Sequence, residues 1–318
     1  SDFISIQFHH FNSYTLNLSA QSCSKFIIDG GKMFVTLGGA MSTAEIGISL
    51  AEMIRKGKVH AISCTGANLE EDIYNLYRGR THIKIEDWRQ FTKENDANIT
   101  KAGYSRVTDT LISVKETFDY LESLVTPIWL KNEYHDWAMT PADVIFEILD
   151  GYKEFQKNKK DSWVYAAKEF GVPIFVAGWE DSTMGNLFAS KLISGELKNP
   201  NTVAHGVKEM IRLAQWYKEE SAKHEIGFFQ IGGGIAGDFA ICVVPMLNND
   251  IHGDIGKVPC WKWFCQIGDS TTSYGSSSGA PPSEKITWKK LEVETPAFMI
   301  ESDATIVVPL IFAYILEM

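Results

Sequence analysis

The sequence predicts an α/β domain, a parallel sheet with helices on both faces, running as one large unit through all 318 residues. Two observations carry this. The segment "KMFVTLGGAMSTAEIGISLAEMIRKGKVHAISCTGANLEED" reads as strand, glycine turn, helix, strand and turn, and the same alternation returns after the middle of the chain. A third is negative: no repeat of fixed period and no low-complexity linker divides the chain.

In the first unit, apolar Met33 to Leu37 runs into Gly38-Gly39, and Ser42 or Thr43 caps the helix that follows. Ile46, Leu50, Met53 and Ile54 recur at helical spacing, Lys56-Gly57-Lys58 closes the helix, and "VHAISC" starts the next strand. Between about Arg78 and Lys160 no period is sustained; helices are placed near Val107 to Leu124 and Ala142 to Lys157, with "KEFQKNKKD" as a solvated helix end. In the second unit, "DSWVYAAKEFG" is a helix with a glycine stop and "VPIFVAG" a strand. "NTVAHGVKEMIRLAQWYKEES" is a helix that buries Val207, Met210, Ile211, Ala214 and Trp216 or Tyr217. "IGFFQIGGGIAGDFAI" gives a strand, a glycine cluster and a helix start, and "EKITWKKLEVE" alternates as a strand. The first thirty or so residues are expected to be peripheral.

Composition narrows the function. The chain is 45% hydrophobic, ample for a sizeable core, and its formal charge of −10 repels phosphate backbones and anionic membranes while attracting cations. Five cysteines form no CxxC pair and no zinc-spaced set, which fits a reducing cytoplasm. The apolar tail "ATIVVPLIFAYILEM" is shorter than the roughly 18 residues a spanning helix needs, so it reads as a core segment. "SDFIS" shows no basic and apolar leader pattern, and the missing initiator Met points to processing or an incomplete N-terminus. No G-x-S-x-G elbow and no P-loop is present, and the eight histidines are scattered.

Three patterns bear on chemistry. Gly232-Gly233-Gly234-Ile235-Ala236-Gly237 satisfies G-x-G-x-x-G behind an apolar strand, where glycine lets backbone approach a pyrophosphate. It is equally a plain structural turn, as is Gly38 to Thr43; two such turns in two βαβ units favour a nucleotide crevice. Carboxylates stand at predicted strand ends: Glu70, Glu71 and Asp72, then Glu180 and Asp181, then Asp238 and Asp303. Each alone is a cap or a solvated charge; together they argue for a cationic, amine-bearing substrate. Finally, strand parity in "EKITWKK" puts Lys290 on the face of Trp288 and Lys289 on the other. A lysine desolvated against an aromatic wall loses basicity and becomes an imine-forming nucleophile, although the pattern by itself favours two solvated lysines.

The ordered series "TGANLEED", "GWEDSTMGN", "QIGGGIAGD", "SSSGAPPSEKITWKK" and "SDATIVVPL" resembles deoxyhypusine synthase and its bacterial deoxyhypusine-synthase-like relatives, which include homospermidine-forming enzymes. The resemblance spans about Gly31 to the C-terminus. It implies a Rossmann-like homotetramer with NAD at subunit interfaces, oxidation of a polyamine such as spermidine, and transfer of its aminobutyl fragment through an imine on Lys290 to an acceptor amine. NAD contacts carry over to Gly39, Ala40, Met41, Ser42, Thr43, Thr65, Gly66, Ala67, Glu71, Asp181, Gly233, Asp303 and Ala304. Amine contacts carry over to Glu70, Glu284 and Trp288, with Gly275, Ser276 and Ser277 in the closing loop. Three positions depart from the family pattern: Asn186 and Ser277 stand where it has aspartates, and Asp238 where it has a histidine. Asp238 then becomes the candidate base and a cation contact. The expected acceptor is a small polyamine; modification of a protein lysine and an NAD-binding homologue without catalysis are the alternatives.

Overall fold

The computed structural model describes residues 2–78, 82–151, 158–253, 256–272 and 279–317. Its first half contains α1 (Asp2–Gln7), α2 (Phe11–Ile28), β1 (Lys32–Leu37), α3 (Gly47–Arg55), β2 (Ala61–Cys64) and α4 (Gly66–Arg78). A small antiparallel sheet follows, made of β3 (His82–Lys84), β4 (Tyr104–Val107) and β5 (Thr110–Ser113), with α5 (Lys93–Lys101) inserted before its hairpin. Then come α6 (Val114–Tyr134), α7 (Pro141–Gly151), α8 (Trp163–Phe170), β6 (Ile174–Val176), α9 (Thr183–Ser194) and α10 (Gly206–Ser221). The last third holds β7 (Ile226–Ile231), α11 (Ile235–Ile241), α12 (Val243–Pro245), β8 (Trp263–Gly268), α13 (Glu284–Thr287), β9 (Ala297–Glu301) and α14 (Ala304–Leu316).

The main sheet has six parallel strands in the order β6-β2-β1-β7-β8-β9. Parallel strands need covered faces, and alternation along each strand supplies two cores. On one face Val35, Leu37, Phe229, Ile231, Trp263 and Ile267 pack with residues of α2, α3, α8 and α14. On the other a row of rings crosses the sheet: Phe175 lies 6.1 Å from Phe34, Phe34 5.7 Å from Phe228, and Phe228 6.0 Å from Phe264. Leu213 and Tyr217 of α10 and Val243 and Val244 of α12 cover that row.

The βαβ reading holds in both units, and the C-terminal tail is the buried helix α14. Among the described residues no helix is long and apolar enough to cross a membrane. Several expectations are corrected. The N-terminal region is not peripheral: α2 buries Leu16, Ala20 and Cys23, and Ser22 accepts the indole N–H of Trp263 at 2.9 Å. Val107 to Ser113 is not helical; Val107 pairs with Thr110 in a hairpin, and α6 starts only at Val114. The helix placed to Lys157 is described to Gly151, and the next stretch lies outside the described residues. On α10, Val207 and Ile211 are exposed because buried Glu209 turns toward the sheet, where its Oε2 accepts the Val176 N–H at 2.9 Å. Ser42 and Thr43 do not cap α3, whose N-cap is Ile46. "EKITWKK" is not a strand: it forms the single turn α13, capped by Trp288, with Lys289 in the left-handed region at φ 56°.

The chain builds β1, β2 and β6 outward on one side and β7, β8 and β9 on the other, so strand order reverses between β1 and β7. The two glycine turns meet there. A Cβ on Gly38 would lie 2.3 Å from the carbonyl oxygen of Gly233 and 2.9 Å from its nitrogen, so this approach admits only backbone. Gly38→Ala is therefore expected to cost about 2–4 kcal/mol, read as a lower midpoint in urea unfolding; an unchanged midpoint would mean that the turns are free to separate.

Candidate active site

Ligands of open α/β sheets bind beyond the carboxyl ends of the strands, where strand order reverses. Four turns ring that position here: 38–43 after β1, 65–67 after β2, 178–183 after β6 and 232–235 after β7. They touch one another. Thr65 Oγ1 donates to the carbonyl of Gly39 at 3.1 Å. A Cβ on Gly66 would meet Ser182 at 2.7 Å, and one on Gly178 would meet Ile235 at 2.7 Å. Gly39 (φ 53°) and Gly234 (φ 71°) differ: a Cβ there would enter open space, so left-handed backbone rather than crowding selects glycine. Together the four turns form a cradle of backbone in which these two glycines are bare of side chain.

Asn68, which motif reading passed over, holds the cradle together. It is fully buried, and its Nδ2 lies 2.8 Å from the carbonyl of Gly39, 3.2 Å from those of Leu37 and Gly38, and 2.9 Å from Thr65 Oγ1. Its Oδ1 accepts the Ser42 N–H at 2.7 Å. Ser42 Oγ donates to the Asn68 carbonyl at 2.7 Å and receives the Trp163 indole N–H at 3.0 Å. Ser42 is thus buried in the wall of the turn rather than displayed on it.

The carboxylates of "EED" divide among three tasks. Both oxygens of Glu70 accept backbone N–H groups at the start of α9, from Thr183 at 2.9 Å and Met184 at 2.8 Å. Glu71 accepts from the backbone N–H of Thr43 at 3.0 Å and from its hydroxyl. Asp72 accepts from Ser162 Oγ and from the Val164 N–H, tying α4 to α8. Burial pushes Glu70 and Asp72 each up to about 7, against the hydrogen bonds that favour their charged forms. Each raised value favours the protonated folded state. The stability it contributes is present below about pH 4 and is lost as pH rises through about 7, on the order of 3 kcal/mol per group. Asp72→Asn, uncharged throughout, is expected to match the wild type in melting temperature near pH 4 and to exceed it increasingly up to pH 8. A difference that does not change between those pH values would place the titration elsewhere.

Of the other positions, Asp303 caps α14 by accepting the Thr305 N–H at 2.8 Å, with buried Ala304 behind it. Asp181 and Asn186 are exposed at the end of β6 and on α9. Gly275, Ser276 and Ser277 lie outside the described residues. The α13 turn lies against β8. Trp288 is 62% exposed, Glu284 is exposed, Lys290 and Asp238 are half-buried, and Lys285 is buried. The Lys290 N–H donates to the Lys285 carbonyl at 3.0 Å, and its own carbonyl accepts the Trp261 N–H at 3.1 Å, which pins the backbone of the turn. Lys289 points elsewhere, to Asn249 Oδ1 at 3.1 Å. Parity was the wrong route to Lys290, yet the site does keep it apart from Lys289. Among the described residues no three His, Cys, Asp or Glu side chains gather as metal ligands.

The deoxyhypusine synthase family model matches residues 5–315. The chain belongs to that family. It is 27% identical to a deoxyhypusine synthase-like protein of Nostoc sp. strain PCC 7120, over 99% of this chain and 81% of that protein. A relative of the same description from Thermosynechococcus vestitus is 29% identical, over 89% of this chain and 69% of that protein. Among solved structures, one assigned to deoxyhypusine synthase from Entamoeba histolytica superposes with a TM-score of 0.58 at 13% identity, covering 98% of this chain and 91% of that one, which shows a common fold. Family membership covers nearly the whole chain, α2 included, and so accords with the place of that helix in the core.

Proposed function

We propose that the protein is an NAD-dependent aminoalkyl transferase, which moves an aminobutyl group from an aliphatic polyamine such as spermidine, through an imine on Lys290, to a small amine acceptor, as homospermidine-forming enzymes do. The observation that carries this reading is the backbone cradle where strand order reverses, with Lys290 on the turn beside β8, in a chain of the deoxyhypusine synthase family. The cradle fits a dinucleotide: Gly39 and Gly234 leave room that any side chain would fill, and no side chain separates Gly38 from Gly233. Gly39, Ala40, Met41, Thr65, Gly66, Ala67 and Gly233 would hold it, with Asp181, Asp303 and Ala304 at the rim, while Ser42, Thr43 and Glu71 shape the turn from behind. When bound, NAD would accept a hydride from the donor's amine carbon and return it to the product imine.

The chain's own residues supply the rest. Exposed Trp288 and Glu284 would offer an apolar wall and a carboxylate to an alkyl ammonium, and half-buried Asp238 would take a proton. The Lys290 amine adds to the imine carbon, and the amine that was bound there leaves. Because Trp288, Asp181 and Asp303 stay exposed in one chain, a second copy completes the site in the homotetramer we infer; light scattering on the eluted protein measures that mass directly. Five unpaired cysteines suit a reducing, cytoplasmic setting.

The test is mass spectrometry after incubation with NAD and either spermidine or 1,4-diaminobutane, with borohydride added to reduce any lysine imine. An aminobutyl mass on the peptide holding Lys290, dependent on NAD, is the expected result. Its absence with both amines, in protein that binds NAD, would sink the transferase reading.

A further inference from the structure

Lys285 has no part in the chemistry so far, and its environment is unusual. It is 7% exposed, and its ammonium lies 5.0 Å above the ring of Phe264 at the end of the phenylalanine row. Among the described residues its ammonium has one hydrogen-bond partner, Gln266 Oε1 at 3.4 Å, a long contact to a neutral, buried amide. No described carboxylate reaches it at ion-pair distance; Asp238 and Glu284 attract it from further off, and Lys290 repels it. Burial accordingly pulls its pKa below the ordinary lysine value. Lysines are almost never buried unless paired, because stripping an ammonium of water costs several kcal/mol. The fold bears that cost at the one turn where Glu284, Trp288 and Lys290 stand together.

A lysine side chain is four methylenes ending in an amine, which is the same aminobutyl arm that the proposed reaction moves. We propose that Lys285 permanently fills the innermost amine position of the site with the chain's own aminobutyl arm, so that the substrate is a short aliphatic diamine and longer tri- and tetra-amines are excluded. This rests on the transferase reading and changes its donor: 1,4-diaminobutane rather than spermidine would supply the aminobutyl group, with ammonia as the leaving amine. Charge points the same way. Glu70, the most deeply buried carboxylate of the amine set, has both oxygens committed to the N-terminus of α9. Asn186 is neutral, and the remaining Asp238 and Glu284 face two lysines, Lys285 and Lys290. Within this amine set, two carboxylates against two lysines leave no excess negative charge for a third ammonium.

The proposal is tested by calorimetric titration of the NAD-loaded protein with 1,4-diaminobutane, spermidine and spermine at one ionic strength. The wild type is expected to bind the diamine at least tenfold more tightly than spermidine. Lys285→Ala, which opens a space one arm long, is expected to lose that preference, and Lys285→Met, which keeps the arm's length, to retain it. The wild-type ranking stands as a test even where the alanine variant folds poorly. Preference of the wild type for spermidine or spermine, or an unchanged ranking in Lys285→Ala, overturns the proposal and leaves the transferase reading intact. Uptake of none of the three amines by protein that still binds NAD overturns both.

Discussion

Replacing Lys290 by alanine is expected to abolish the borohydride-trapped adduct and to lower aminobutyl transfer by about 10⁴-fold or more, because the amine that carries the fragment is removed. Lys290→Arg is expected to fail equally: a guanidinium keeps the charge but stays protonated and forms no imine. Lys289→Ala is the matched control. Lys289 reaches outward to Asn249, and its left-handed backbone is what sends the following lysine back toward β8. Its removal should leave the adduct at the wild-type level. The decisive reading is the position of the added mass: label that survives in Lys290→Ala, on any other lysine, would show that the chemistry runs elsewhere. Because Lys290 is half-buried and held by backbone contacts rather than by its side chain, the alanine variant is expected to melt like the wild type, which separates loss of chemistry from loss of fold.

The second large effect is on stability. Asn68→Leu keeps the branching and heavy-atom count of the side chain and removes every hydrogen bond it makes, leaving the Gly38 carbonyl and the Ser42 N–H without their partner inside the fold. Each buried polar group so stranded costs about 1–3 kcal/mol, so a total of about 3–5 kcal/mol is expected, measured as the shift of the urea midpoint at constant m-value. NAD affinity should fall with it, since the same amide sets the shape of the 38–43 turn. A loss below about 1 kcal/mol would mean that water or a relaxed turn replaces the amide, and that Asn68 does not organise the cradle.

The sequence was most legible where local pattern and tertiary role agree. Met33 to Leu37 and Ile226 to Ile231 are unbroken apolar runs because parallel strands are covered on both faces, and each is followed by the glycines that the close approach of the two turns demands. The misreadings fall where tertiary contacts decide. Glu209 is an ordinary surface residue by type, and although Arg212 stands one turn along the helix, nothing nearby announces the distant Val176 N–H that draws it inward, leaving Val207 and Ile211 in solvent. In "EKITWKK" the apolar and polar residues alternate as in a strand, but burial of Lys285 over Phe264 holds the segment as one helical turn. The hairpin around Thr108-Asp109 carried little signal beyond the turn pair itself, since neither Tyr104 to Val107 nor Thr110 to Ser113 alternates. Of the residues proposed for the site, the glycines and Lys290 were reached by motif, while Asn68 and Lys285 were not, because what marks them is which backbone and which ring they meet.

The meeting of Gly38 with Gly233 also constrains how the molecule comes into being. These residues are nearly two hundred positions apart, and β1 finds its partner β7 only after α10 has been made. Pairing of such distant segments comes late, after much chain entropy has been surrendered. A nascent chain that has released only its first two hundred residues therefore holds β1, β2 and β6 but half a cradle, and cannot select for its ligand. Cofactor binding should lag behind the recovery of helical signal during refolding, and it would serve as a reporter of the finished fold rather than as a template for it.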